Sequence, residues 1–92
     1  MTYQVVFIEG ADDEVADLPR EVRQRIMPHI RALAADPRPA GCKYLAGPLR
    51  GFLRLRVGDY RVAYAVDERE RKVRIWLVGL RRGFYERLAR RA

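Results

Sequence analysis

The run Leu53-Arg54-Leu55-Arg56-Val57-Gly58-Asp59-Tyr60-Arg61-Val62-Ala63-Tyr64 decides the fold. Apolar residues recur at every second position on both sides of Gly58-Asp59, the period of a strand with one buried face. Glycine at the first position of a two-residue turn suits a type II′ hairpin. Such a turn pairs Val57 with Tyr60, Leu55 with Val62 and Leu53 with Tyr64. Every pair on that side is apolar, so that side faces the core. The other side pairs Arg56 with Arg61, Arg54 with Ala63 and Phe52 with Ala65. A one-residue slip would bury the arginines, so the register is well specified.

The second face carries the functional information. Like charges directly opposite each other destabilise a sheet, yet Arg54, Arg56 and Arg61 share one patch. These strands hold no acid placed to pair them. Ala63 and Ala65 are small and are expected to leave room above the sheet. Guanidinium forks over a low floor are what a polyanion needs. The structural alternative is a solvated sheet face whose arginines blunt aggregation.

Outward from the hairpin, Val73–Gly79 reads as a third strand. Val73, Ile75 and Leu77 are expected on the core side, with Arg74, Trp76 and Val78 opposite. Trp76 offers a ring for stacking a base or for packing. Arg81 and Arg82 follow, and Arg82–Arg91 reads as a terminal helix with Phe84 and Leu88 at i, i+4. A helical start there would put Arg81 and Tyr85 on one side. Upstream, Tyr3–Ile8 is β-branched and aromatic, so it reads as a strand. Asp12–Leu18 suits a short helix with acids in its first turn. Val22, Ile26, Ile30 and Leu33 recur at helical spacing after Pro19, with a kink expected at Pro28. Asp36-Pro37 ends that helix. Residues 37–50 read as a Pro/Gly-punctuated connection, and 67–72 as a solvated mixed-charge turn. His29 and Cys42 carry no activating context. The elements give an α+β fold: one domain over 1–92, an antiparallel sheet with the N-terminal helices mainly on one face and a short C-terminal helix.

Composition narrows the function classes. The 92 residues hold one cysteine and one histidine, so neither a disulfide framework nor a Cys-based zinc cage is available. No apolar run reaches the roughly 18 residues of a membrane span, and no signal peptide is evident, so a cytoplasmic setting is expected. The net charge of +7 is unevenly spread. Residues 1–40 sum to −2 and residues 41–92 to +9. The C-terminal half should therefore present an anion-facing surface.

The hairpin run resembles the core of RelE/ParE-superfamily toxins, the toxin halves of bacterial type II toxin–antitoxin pairs. The resemblance extends to Lys43-Tyr44-Leu45-Ala46-Gly47 and to Val78-Gly79-Leu80-Arg81-Arg82-Gly83-Phe84-Tyr85. It implies one of two activities. RelE-like members cut mRNA in the ribosomal A site; ParE-like members inhibit DNA gyrase and are not nucleases. The RelE-like pattern is matched at Arg54, Arg61, Arg81 and Tyr85, the implied catalytic set, with Arg56, Arg82 and Trp76 as candidates for holding RNA. The branch favoured is therefore a ribosome-dependent endoribonuclease using 2′-OH attack, without metal or cofactor. The alternatives are a gyrase inhibitor, or a degenerate member that only binds antitoxin. Implied partners are a cognate antitoxin, the ribosome with its mRNA, and operator DNA through the antitoxin complex. Phe52 stands where some ribosome-dependent members carry a lysine, and Leu80 where many members carry a histidine. The hairpin patch therefore has no side chain suited to be the general base, because arginine does not lose its proton.

Overall fold

A computed structural model describes residues 2–92. Strand β1 (Gln4–Phe7) leads into helices α1 (Ala11–Ala16) and α2 (Arg20–Ala32). Strand β2 (Lys43–Tyr44) and a 3-10 turn at Gly47–Leu49 precede β3 (Leu53–Val57), β4 (Tyr60–Asp67), β5 (Lys72–Leu80) and helix α3 (Phe84–Arg91). The strands form one sheet in the order β1-β5-β4-β3-β2.

The hairpin has the expected register: Val57 faces Tyr60, Leu55 faces Val62, Leu53 faces Tyr64, and Arg56 faces Arg61. Gly58 has φ 60°, whereas Asp59 stays outside the left-handed region. That combination fits type II′, since type I′ needs both residues there. Phe52 is not a strand residue and does not pair with Ala65. Its N–H and C=O are taken locally by Leu49 and Leu45.

Two sheet features depart from the sequence reading. The sheet is not wholly antiparallel, because β1 runs parallel to β5, with Val5 beside Val73 and Phe7 beside Ile75. An alternating pattern reads the same in both directions, so it carries no strand sense. The residues 43–44, read as connection, form an edge strand against Arg54 and Leu53. Two residues are too few to show a period.

The core lies between the sheet and the N-terminal helices. Val15 of α1 and Ile26 and Ile30 of α2 meet Leu53, Leu55, Val57, Val62, Tyr64, Val73 and Ile75. Of the helical face expected at Val22, Ile26, Ile30 and Leu33, the last three are fully buried and Val22 is partly buried against the core, and α2 continues through Pro28. Tyr64 is buried at the centre and donates its hydroxyl hydrogen to the Pro37 carbonyl at 2.8 Å. Burial pushes its pKa up.

A β-bulge in β5 re-aims that strand. Tyr64 faces Ile75 while Ala63 faces Leu77, so Trp76 is the extra residue. Beyond it the alternation changes phase. Leu77 therefore lies on the second face with Ala63, and Val78 joins the core opposite Val62. This reverses the faces expected for Leu77 and Val78. A bulge arises from how two strands are held together, which one strand's pattern does not record.

The turn after β4 is exposed at residues 68–70, as expected of a solvated turn, but its acids are also tied to neighbouring elements. Asp67 and Glu70 both bridge Arg74, at 2.9 and 2.8 Å. Glu68 accepts from Tyr3 at 2.6 Å and pairs with Arg38 at 2.8 Å. The Asp67 carboxyl is held below its usual range by backbone N–H donation from Glu70 and by Arg74. The Tyr3 hydroxyl and Arg38 do the same for Glu68. Both contributions are present above the unfolded carboxylate range of about 4. They are lost as the pH falls through the lowered folded values. The melting temperature should therefore drop across that acid window, and Glu68→Gln should flatten part of the slope. An unchanged slope in that variant would show that the ties add nothing to folding.

Candidate functional site

The second face of the sheet is built around the hairpin's arginines. Arg54, Arg56 and Arg61 come from the hairpin, with Arg56 directly opposite Arg61. Arg61 is in turn opposite Gly79, two residues ahead of Arg81. The Arg81 N–H donates to the Asp59 carbonyl at 3.1 Å, which ties the end of β5 to the hairpin turn. Gly83 then sits at φ 69° and starts α3 at Phe84, a left-handed position that suits glycine. Arg81 thus lies before the helix, not on it. The helical spacing expected to put Arg81 and Tyr85 on one side therefore does not apply, because Arg81 precedes the turn at Gly83.

The floor is not open. Helix α3 lays Phe84 and Leu88 onto Ala63 and Leu77, and all four are fully buried. Leu45, Leu49, Phe52, Trp76 and Tyr85 complete this second cluster. The small size of Ala63 admits a helix rather than a ligand, contrary to the expectation of free space above it. Trp76 stands edge-on to Phe52 at 5.1 Å, so its ring is engaged in packing. Tyr85 is half-buried and edge-on to Phe84 at 5.5 Å.

Burial changes the character of Arg61. It is 8% exposed, the buried charged residue of the fold. Its Nε and Nη1 are buried without a hydrogen-bond partner, as is Nε of Arg54. An unpaired buried donor costs roughly 1–3 kcal/mol, more for a charged group. Natural folds seldom keep such groups without a use. Arg71 also has a buried, unpaired Nε. Its Nη1, however, donates to Tyr3 and Glu68, and its guanidinium lies 4.1 Å from the centroid of the Tyr3 ring. Arg54 and Arg61 have no such compensation.

The ion pairs lie elsewhere. Among the described residues the acids engage Arg38, Arg71, Lys72, Arg74 and Arg91. Arg54, Arg56, Arg61, Arg81 and Arg82 have none. Arg56, Arg81 and Arg82 are exposed. The result is an unneutralised arginine surface with two guanidiniums partly withdrawn from water. Such groups stabilise an anion strongly, since low local dielectric strengthens the attraction. Among the described residues no three of His, Cys, Asp or Glu converge as metal ligands.

Two residues of α3 were missed by sequence reasoning. Arg87 lies against Gly79, where an added Cβ would stand 2.9 Å from its Nη2. Arg91 grips Glu14. Both belong to an i, i+4 pair on the helix, a signal visible in sequence but without a target until the sheet is in place. The hollows in the surface lie around these residues. One of about 290 Å³ is lined by Arg87, Arg90 and Arg91, and one of about 300 Å³ by Glu14, Leu18, Tyr60, Leu80 and Arg87 among others. Neither of these two is lined by Arg54 or Arg61.

Comparison with known proteins bears on the fold and the family. The M. tuberculosis toxin–antitoxin complex RelBE2 contains a chain with TM-score 0.79 and 27% identity, covering 88% of this chain and 100% of that one. The RelE–RelB complex of Pyrococcus horikoshii gives TM-score 0.74 and 28% identity, over 88% and 97%. A YoeB/ParE toxin from Agrobacterium tumefaciens, 17% identical over 84% and 96%, shares the fold at TM-score 0.72. No curated protein matches by sequence. The neighbours named RelE are consistent with the RelE-like branch, while the matching family model carries the ParE name. That model, the ParE toxin of type II toxin–antitoxin systems (parDE), spans residues 5–83. The chain belongs to this toxin family, within the RelE/ParE superfamily.

Proposed function

We propose that this toxin is a ribosome-dependent endoribonuclease that cuts mRNA in the A site and is neutralised by a cognate antitoxin. The observation that carries the reading is the pair of partly buried, unpaired guanidiniums at Arg54 and Arg61. A phosphodiester attacked by its own 2′-OH gains charge on the phosphorane, and preorganised donors stabilise that charge. Arg54 and Arg61 take this role. Arg81 stands at the leaving-group side, and Tyr85 orients or stacks the nucleotide. Arg56 and Arg82, both exposed, hold flanking phosphates. A site this electrostatic, with no evident base of its own, relies on the ribosome to align the 2′-OH and is inactive on free RNA. The basic surface suits an acidic antitoxin segment that folds on binding. Solved relatives were crystallised with RelB antitoxins, which supports the same kind of partner here. Operator DNA is reached through that complex.

A second reading, gyrase inhibition, is favoured by the ParE name of the family model. Induction without antitoxin separates the two. Rapid arrest of translation with mRNA cut inside coding regions supports the nuclease. Inhibited supercoiling by purified protein, with mRNA intact, selects the gyrase reading.

Arg54 tests the chemistry. Arg54→Lys keeps the charge but loses the bidentate fork. It should retain most single-turnover cleavage on programmed ribosomes, or exceed it at high pH if lysine can accept a proton. Arg54→Gln should lose roughly 10²-fold. Equal rates for wild type and the Gln variant would remove Arg54 from the mechanism.

A further inference from the structure

We propose that Glu14 is a positioning residue for the arginine site, although it lies in the first helix, far from that site along the chain. It forms a clasp with Arg91 that sets the pose of α3 and hence of Tyr85. This rests on the nuclease reading for its effect on rate.

The argument begins with the length of α3, eight residues. A helix that short is not stable alone in water, so docking decides where it sits. Phe84 and Leu88 supply the apolar part of that docking. Hydrophobic contact is non-directional and leaves a short helix free to slide or roll. Directional contacts come from its arginines. Strand β1 stops pairing with β5 at Phe7 and Ile75, with one further bond from Ile8 N–H to the Ile75 carbonyl at 3.0 Å. Past that point α3 supplies donors to β5 carbonyls. Arg91 Nη1 donates to the Trp76 carbonyl at 2.8 Å, and Arg87 Nη2 to the Leu80 carbonyl at 3.1 Å.

Glu14 completes the Arg91 end. Its two carboxylate oxygens accept from Nη1 and Nη2 at 2.8 and 2.7 Å. Three bonds therefore fix one guanidinium plane between α1, the bulge of β5 and α3. Arg91 is six residues past Tyr85 on the same short helix, so any roll allowed at one end is carried to the other. Lysine could not replace this arrangement, because it lacks the planar fork. A partly exposed ion pair adds little to global stability by itself. The expected loss is therefore in placement, not in folding.

The test uses the full chain with Glu14→Ala and Arg91→Ala, alone and combined with Tyr85→Ala. In Glu14→Ala, amide hydrogen exchange should quicken in α3 and not in β3–β4. Tyr85 ring resonances should shift. Single-turnover cleavage on programmed ribosomes should fall roughly 10- to 100-fold at saturating ribosome, with little change in ribosome affinity. Adding Glu14→Ala to Tyr85→Ala should cost no further rate, as expected of residues acting through one another. An unchanged α3 exchange rate and Tyr85 spectrum would overturn the clasp. So would a rate loss of equal size in the Tyr85→Ala background. Absence of cleavage by the wild-type chain would count against the nuclease reading alone, since exchange and the Tyr85 spectrum still decide whether Glu14 positions α3.

Discussion

Arg61→Ala is expected to abolish toxicity and leave the domain folded. The side chain is on the second face, opposite Arg56 and Gly79, and two of its guanidinium nitrogens are buried without partners. Removing it eliminates a desolvated charge and its repulsion with Arg56, which favours the variant. It also removes the packing of the aliphatic stem, which opposes it. These effects have opposite signs, so the net change in stability should stay within roughly 1 kcal/mol. The functional effect is larger, because a preorganised donor aimed at developing charge is worth about 10²–10³ in rate. Growth after induction and the melting temperature together check this. A fall of many degrees in melting temperature would make Arg61 a structural residue. Full toxicity in a folded variant would place the active surface elsewhere.

Phe84→Ala should produce the largest loss of stability. Phe84 is fully buried in the second cluster, and truncating a buried phenylalanine costs about 3–5 kcal/mol. A domain of this size has about 5–15 kcal/mol in total. The measured cost has a ceiling, however. The second cluster is one side of the sheet, and α3 can detach while the N-terminal core stays intact. Two thresholds follow. Cooperative melting should shift down, and α3 amides should lose protection well before β4 amides do. Activity should be lost with the helix, because Tyr85 travels with it. Uniform loss of protection over β4 and α3 would show that the two clusters form one cooperative unit.

The site was legible in part. Arg54, Arg56 and Arg61 could be placed on one face from alternation and turn chemistry alone, since a two-residue turn leaves one register that keeps the arginines off the main core face. The burial of Arg61 was not legible. Burial of a single strand residue depends on what the closed fold lays around it, and the same closure seats α3 on Ala63 and Leu77. Alanine next to arginine reads equally well as open floor or as a helix seat. Likewise Arg81 and Tyr85 were expected together for a helical reason. A turn at Gly83 instead separates Arg81 from the helix that carries Tyr85, and Arg81 is tied to Asp59.

The sequence by itself determined the hairpin, its register, the amphipathic second helix and the uneven charge. Each of these is written in local periodicity, where a few neighbouring residues decide the free energy. Only the tertiary structure decided the parallel sense of β1, the bulge at Trp76 and the partners of Glu14, Glu68 and Arg91. Those outcomes depend on which strand edge, carbonyl or carboxylate is left unpaired once the sheet has closed. A donor such as Arg91 can meet many acceptors in the unfolded chain. The closed sheet leaves the Trp76 carbonyl and Glu14 within its reach, and that choice is made by packing, not by spacing.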